Sequence, residues 1–330
     1  MGSGEMVGRV RVSGESPDKP RKSEFVGSLA HGLSVLQAFD GGHGAMALVE
    51  VARRSGLSPA TARRSLHTLI ELGYARIVDK RYVLTPNVLA LGSAYLRASR
   101  ADEAFTPELK RIVEMFGDAA SVSVLEGPDI LYVAHVSQQR MSRMTAGVGV
   151  TYPAQLTSMG RVLLANLPQS ELERFLAECR TMKPTARTID DPNELRAEIA
   201  RVRDSGYAVA IDQLDYGVAA IAVPIRDPQG DVIAAINSSG YSGTLSRKAM
   251  IEDRLPKLRA SATVLTQVLR RYPALLHSLG PVWPQTAPSP RSRGAVSKPQ
   301  SAASPGAPPA SRRTLAKRAA SRSPAGMAAR

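Results

Sequence analysis

Between Ser55 and Tyr74 the chain reads SGLSPATARRSLHTLIELGY. Apolar residues recur at Ala62, Leu66, Leu69 and Ile70, with Gly73 continuing the series, the i, i+4, i+7, i+8 spacing of a helix with one buried side. Ser58-Pro59 is a start signal: the hydroxyl accepts from a free first-turn N–H, and a proline there needs no donor. At about 100° per residue Ala60, Thr61, Arg64, Thr68 and Glu71 fall opposite the apolar stripe, with Arg63 and His67 on its flanks. The outward half is short, polar and basic, a surface that a DNA major groove accepts. Upstream, Leu48, Val51 and Ala52 mark a short helix that Gly56 ends in a left-handed turn. A short helix, a tight turn and a longer helix make a helix-turn-helix. Downstream, the run from Tyr74 to Leu84 alternates, turns at Asp79-Lys80 and alternates again: a hairpin wing with Lys80 and Arg81 at its tip.

Leu29, Leu33 and Leu36 place a first helix over Ser28–Phe39, with its apolar face toward the same core. Past Leu84-Thr-Pro86, a connecting helix is expected over Asn87–Ser99 and another over Asp102–Gly117. From Ser121 the period changes to two, with strands at Ser121–Glu126 and Ile130–Val136. Helices follow at Ser158–Leu167, Glu171–Arg180 and Pro192–Ser205. Strands at Tyr207–Asp212, Ala219–Arg226 and Asp231–Ser238 precede a long helix, Ser246–Arg271. Mixed order and hairpins predict an α+β fold with an antiparallel sheet. The expected division is a disordered segment over 1–24, a winged helix-turn-helix over 25–86, a linker helix over 87–100, a second domain over 101–275 and a basic disordered tail over 276–330.

Charge separates these parts. The net charge of +14 is uneven: residues 281–330 hold nine Lys/Arg and no acid, residues 25–92 hold seven against four, and residues 93–280 hold 22 against 21. Near-neutrality of the large domain argues against its being the nucleic-acid surface. A single cysteine, Cys179, excludes an internal disulfide and fits a cytoplasmic protein. No apolar run approaches the length of a membrane span. The five histidines are scattered without metal-ligand spacing, and Gly147-Val-Gly149 lacks the rest of a dinucleotide loop. No catalytic set, cofactor or metal is expected. Two other classes are kept for comparison: an enzyme with an appended winged helix, and an architectural nucleic-acid protein served by the basic tail.

Short motifs in fixed order carry a resemblance: Ser28-Leu-Ala-His-Gly-Leu-Ser-Val-Leu-Gln-Ala-Phe39, Leu72-Gly-Tyr74, Leu84-Thr-Pro86, Tyr132-Val-Ala134, Ser158-Met-Gly-Arg-Val-Leu-Leu-Ala165, Gly206-Tyr207, Ala222-Val-Pro224 and Ala234-Ala-Ile-Asn237. Over residues 25–271 the chain resembles the IclR family of bacterial transcriptional regulators, most of all the subgroup controlling aromatic-acid catabolism through the β-ketoadipate pathway. The resemblance implies a homodimer or homotetramer on double-stranded operator DNA, and a GAF-like effector domain for a small organic acid. The helix face and the wing place DNA contacts on Ser58, Ala60, Thr61, Arg63, Arg64, His67, Thr68, Lys80 and Arg81, and the resemblance adds that Thr61 and Arg64 match the family's Thr-x-x-Arg. Effector contacts are implied at Met141, Met144, Tyr152, Ser158, Met159, Asp212, Ala220, Asn237 and Ser239. The residues agree in part. Ser158-Met-Gly160 opens a helix whose free N–H groups suit a carboxylate, and Asn237 and Ser239 share one strand face. An ionised Asp212 is expected to accept from a hydroxyl or amide rather than meet that carboxylate. Protocatechuate, 4-hydroxybenzoate and β-ketoadipate are the implied effectors. Two positions depart from the subgroup: Val218-Ala-Ala220 replaces Leu-Arg-Ser, and His135 stands where arginine is usual.

Overall fold

The computed structural model describes residues 25–39, 43–138, 146–179 and 182–280. The segments expected to be disordered at 1–24 and 281–330 lie outside that range, as do Met141 and Met144. The N-terminal elements are α1 (Gly27–Gln37), α2 (Leu48–Ser55), α3 (Pro59–Glu71), β1 (Ala75–Val78) and β2 (Arg81–Leu84). Val35, Ala38, Met46, Val51, Leu66, Leu69, Ala75 and Tyr82 form their core. Reciprocal bonds between Met46 and Tyr82, at 3.0 and 2.8 Å, add an isolated bridge beside the wing sheet. Two expectations change here. Gly73 does not continue the α3 stripe: it lies past the helix end, exposed, at φ 77°. Leu29 and Leu33 face outward, 63% and 46% exposed, while Leu36 packs on the core beside Val35 and Ala38.

A 3-10 turn, Pro86–Val88, leads into α4 (Leu89–Ser99). Arg100, left-handed at φ 54°, breaks it from α5 (Ala101–Phe116). The second domain is one six-stranded antiparallel sheet built from β3 (Ala119–Glu126), β4 (Asp129–Ser137), β5 (Thr151–Pro153), β6 (Ala208–Ile211), β7 (Val218–Arg226) and β8 (Val232–Tyr241). Its order is β5-β4-β3-β8-β7-β6. One face packs α5 and the long C-terminal helix, which runs as α9 (Arg247–Ala249), a π-helical turn (Met250–Arg254) and α10 (Leu255–Leu269). The other face packs α6 (Ser158–Ala165), α7 (Gln169–Glu178) and α8 (Pro192–Ser205). With helices on both faces, alternate strand residues feed two separate cores. The last described helix, α11 (Pro273–Ser278), was not anticipated: the boundary expected at residue 275 falls inside it, and Leu275 and Leu279 are fully buried.

Candidate functional site

The DNA-facing candidates come from one helix and one turn. Gly56 closes α2 in the left-handed region at φ 69°, and the Ser58 hydroxyl accepts the Thr61 N–H at 3.2 Å. Ser58 also pairs with the Thr61 hydroxyl at 2.9 Å, so both are engaged in starting α3. Ala62, Leu66 and Leu69 anchor the helix on its inner side. Ala60, Arg63, Arg64, His67 and Thr68 are exposed, and Thr61 is half-buried. Thr68 donates to the Arg64 carbonyl at 3.2 Å, leaving its oxygen to accept. At the wing, Asp79 and Lys80 take positive φ values of 49° and 62°, the twist a two-residue hairpin turn needs. Lys80 projects at the tip. Arg81 instead reaches back to the Ala45 carbonyl at 3.3 Å and ties the wing to the start of α2.

The effector candidates lie on the α6 side of the large sheet. Neighbouring strands place His135, Ser121, Asn237 and Ala222 in one cross-strand row, and Ala119, Ser239, Ala220 and Ala210 in the next. Asn237, Ser239 and Ala220 therefore meet as expected. Ser121, which was not singled out, and His135, noted only as a departure from the subgroup, join them. An extra residue in β4, at Val133, is the reason: the bulge puts Tyr132 and His135 on the same face three positions apart. The Ser121 hydroxyl and His135 Nδ1 are 2.9 Å apart, and burial lowers the His135 pKa, favouring the neutral ring. Tyr132 packs edge-on against Tyr152 with centroids 5.8 Å apart. Burial raises both phenols, and the charge of Asp215 adds to the effect on Tyr152.

Over this row lies the start of α6. Met159 is fully buried, with its sulfur 3.3 Å from the Ser123 hydroxyl. Thr157 caps the helix by accepting the Gly160 N–H at 2.9 Å. The hydroxyl of Ser158 and the amide oxygen of Asn237 are buried and have no hydrogen-bond partner. Leaving such a group unpaired costs about 1–3 kcal/mol, and natural interiors contain few of them. The third among the described residues, Ser99, is in α4, away from this layer. Two unpaired polar side-chain atoms, one at the start of α6 and one on β8, among Tyr132, Tyr152 and Met159, are the chemistry of a small-acid site.

Asp212 accepts from an amide and a hydroxyl, as expected, and both belong to the segments around the turn it sits in. Its carboxylate accepts from the Gly217 N–H at 2.9 Å and the Ser242 hydroxyl at 2.7 Å, and pairs with Arg187 at 3.2 Å. It braces the turn between β6 and β7, at φ 52°, through groups of the protein itself. Behind α6, Arg161 is buried, donating to the Gln155 carbonyl at 2.9 Å and the Gln213 side chain at 2.6 Å, with Glu198 at 3.7 Å. Burial, with Arg201 and Arg247 nearby, lowers its pKa to about 10, so it stays charged at neutral pH. A cavity of about 50 Å³, with Glu198, Arg201, Tyr207 and Arg247 among its lining, is not at the polar row.

Residues 28–78 match the IclR helix-turn-helix domain, and residues 93–267 match the family described as bacterial transcriptional regulator IclR C-terminal. The Pca regulon regulatory protein of Pseudomonas putida is 39% identical over 74% of this chain and 85% of its own. A transcriptional regulator structure from Rhodococcus sp. RHA1 is 40% identical, covering 75% of this chain and 99% of that one, with a TM-score of 0.63. An IclR homologue of Microbacterium hydrocarbonoxydans, solved with 4-hydroxybenzoate, is 25% identical over 74% of this chain and 99% of that one, with a TM-score of 0.62.

Proposed function

Because the chain belongs to the IclR family of bacterial transcriptional regulators, we propose that it reads its operator with α3 and the wing, and that a small aromatic acid held between α6 and the sheet controls it. It is a regulator and not an enzyme. Among the described residues no helix is long and apolar enough to cross a membrane, and the site of action is the cytoplasm, with the DNA. The unpaired Ser158 and Asn237 oxygens carry the effector reading. Ser158 and the α6 start take the carboxylate, Tyr132, Tyr152 and Met159 take the ring, and the row through Ser239 and Ala220 forms the floor. His135 lies two strands from Asn237, about 10 Å at the usual strand spacing. A neutral imidazole suits a ring hydroxyl better than a second carboxylate. Hydroxybenzoates are therefore favoured over β-ketoadipate, in keeping with the 4-hydroxybenzoate of the Microbacterium structure. Calorimetry of the full chain with 4-hydroxybenzoate, protocatechuate and β-ketoadipate tests this. The first two are expected to bind more tightly. Tighter β-ketoadipate binding reverses the assignment of His135, and no binding across a broad acid panel removes the effector class.

On the DNA side, Arg64 is exposed on the outward face of α3. Arg64→Ala is expected to weaken binding to a selected operator by about 1–3 kcal/mol if it contacts a guanine. Lys80→Ala is expected to weaken all sequences alike. Gel-shift titrations against operator and scrambled duplexes separate the two, and an unchanged operator affinity for Arg64→Ala removes the contact.

Self-association is supported by two exposed apolar faces: Phe25, Val26, Leu29 and Leu33 at α1, and Leu89, Leu91 and Tyr95 along α4. Covering a leucine gains about 1.5–3 kcal/mol, enough for several such residues to hold a second copy. Leu29→Lys with Leu33→Lys is expected to raise the dimer dissociation constant by at least tenfold. Light scattering across a dilution series reads the change, and an unaltered mass places the contact elsewhere.

A further inference from the structure

We infer that the cavity between α8, β6 and α9 is a second ligand site, apart from the effector row, and that it takes a terminal phosphate group. The inference goes beyond the effector reading and does not rest on it.

Three elements wall the cavity. Glu198, Arg201 and Ser205 of α8 form one side, Val209 of β6 with Tyr207 just before it another, and Arg247 of α9 the third. The corner between α8 and β6 is held in place. Arg259 of α10 donates to the Ser205 carbonyl at 3.0 Å and lies over the Tyr207 ring at 5.9 Å. The Ser205 hydroxyl donates to the Tyr207 carbonyl at 3.2 Å. The cavity measures about 50 Å³, space for roughly three or four waters at ~10–15 Å³ each. That is the scale of a tetrahedron of phosphate oxygens and too small for an aromatic ring. Arg201 and Arg247 are exposed at its mouth, so the organic part of a phosphate monoester has room outside.

The charge around this space does not balance. Glu198 is the only acid in the lining, and it is 5% exposed. Both of its oxygens are engaged: one lies 3.7 Å from Arg161, itself 2% exposed, and the other pairs with Arg201. Arg247 has no ion pair and no side-chain hydrogen bond among the described residues. Asp204, the nearest acid in sequence, is exposed and outside the lining. Burial, then the charges of Arg201 and Arg247, hold the Arg161 pKa down, so the three guanidinium groups stand close enough to repel. Three of them against one carboxylate leave two positive charges in excess. Neutralising the buried Arg161 takes Glu198 alone, so the fold does not require the outer pair. A phosphate dianion offsets the excess charge. Guanidinium forks also bond pairs of phosphate oxygens in a geometry that a point charge lacks.

Calorimetry of the full chain tests the assignment. Inorganic phosphate and glycerol 3-phosphate are titrated at constant ionic strength and about pH 8, where a group with a second pKa of about 6 is a dianion. Both are expected to bind, and the tighter of the two identifies the source of the phosphate. Arg247→Gln is expected to weaken binding at least tenfold, and Arg247→Lys, which keeps the charge and loses the fork, by less. Arg247 is exposed and has no partner among the described residues, so neither change disturbs the fold. Lys248→Gln removes the same charge one residue away, outside the lining, where Lys248 pairs with Glu252 at 3.8 Å. Its phosphate affinity is expected to equal the parent's. Saturating 4-hydroxybenzoate is expected to leave phosphate bound. Absence of binding by both probes overturns the inference, as does equal affinity for Arg247→Gln and the parent. An equal loss in Lys248→Gln also overturns it, since general surface charge then accounts for the binding. Displacement of phosphate by 4-hydroxybenzoate places the anion in the effector row and overturns it too. If 4-hydroxybenzoate does not bind, the effector reading falls, and the Arg247 and Lys248 variants still decide this one.

Discussion

Gly160→Ala is expected to destabilise the second domain by about 3 kcal/mol and to abolish effector binding with it. In an ordinary helix the exchange is favourable, because alanine orders the backbone at less cost by about 1 kcal/mol. Here a Cβ at position 160 would stand 2.1 Å from the Ala154 carbonyl oxygen and 2.5 Å from the Ala154 Cα. Both atoms belong to backbone, and that backbone is held from two sides. The Ala154 N–H donates to the Pro128 carbonyl at 3.1 Å, and its carbonyl accepts from the Thr157 N–H at 3.2 Å. Relief requires α6 to move by about 1 Å against the sheet. All eight of its residues are buried, and overpacking at such a place costs about 1–3 kcal/mol, occasionally more. For a domain of this size 3 kcal/mol lowers Tm by about 6–12 °C. Thermal unfolding of the variant reads the shift. A Tm equal to the parent's shows that the turn at Ala154 gives way more easily than its hydrogen bonds imply.

What the sequence shows of this fold depends on whether a side chain's role is settled nearby. The start of α3 is written in four residues, and its stripe repeats at helical spacing onto one core, so it is legible. The wing is legible for the same reason: alternation and turn chemistry are local. The face of α1 is not. Leu29 and Leu33 have the spacing of core residues, yet of the expected stripe only Leu36 packs on the core, beside Val35 and Ala38; periodicity reports that a stripe is buried by something, not by what. His135 is hidden by the bulge at Val133, since counting by twos from Tyr132 assigns it to the opposite face. Asp212 is placed in the pocket by the family resemblance alone. Its partners Gly217, Ser242 and Arg187 come from three different segments, which no local pattern brings together. Within the effector site, Ser158 and Asn237 were visible as polar positions, but only packing shows that they are the ones left without partners.

That lack of partners leads to the second large effect, in which stability and function move in opposite directions. Ser158→Ala and Asn237→Leu each remove a buried oxygen that no group of the protein satisfies. Deleting an unpaired buried acceptor relieves a cost of about 1–3 kcal/mol, and leucine keeps the branched shape of asparagine, its bulkier methyl groups offsetting part of the gain through overpacking. The effector-free variants are therefore expected to unfold at higher temperature than the parent. The same oxygens are the ones proposed to meet the acid. A hydrogen bond to a charged group contributes about 1.5–3 kcal/mol, so the double variant is expected to bind 4-hydroxybenzoate at least 100-fold more weakly. A core residue with no ligand role moves both quantities differently: its loss lowers Tm and leaves affinity intact. Thermal unfolding with and without 4-hydroxybenzoate separates the cases in one experiment. The expected result is a raised baseline Tm together with loss of the ligand-induced increase. A lowered baseline with the ligand-induced increase intact shows that Ser158 and Asn237 are structural and that the acid binds elsewhere.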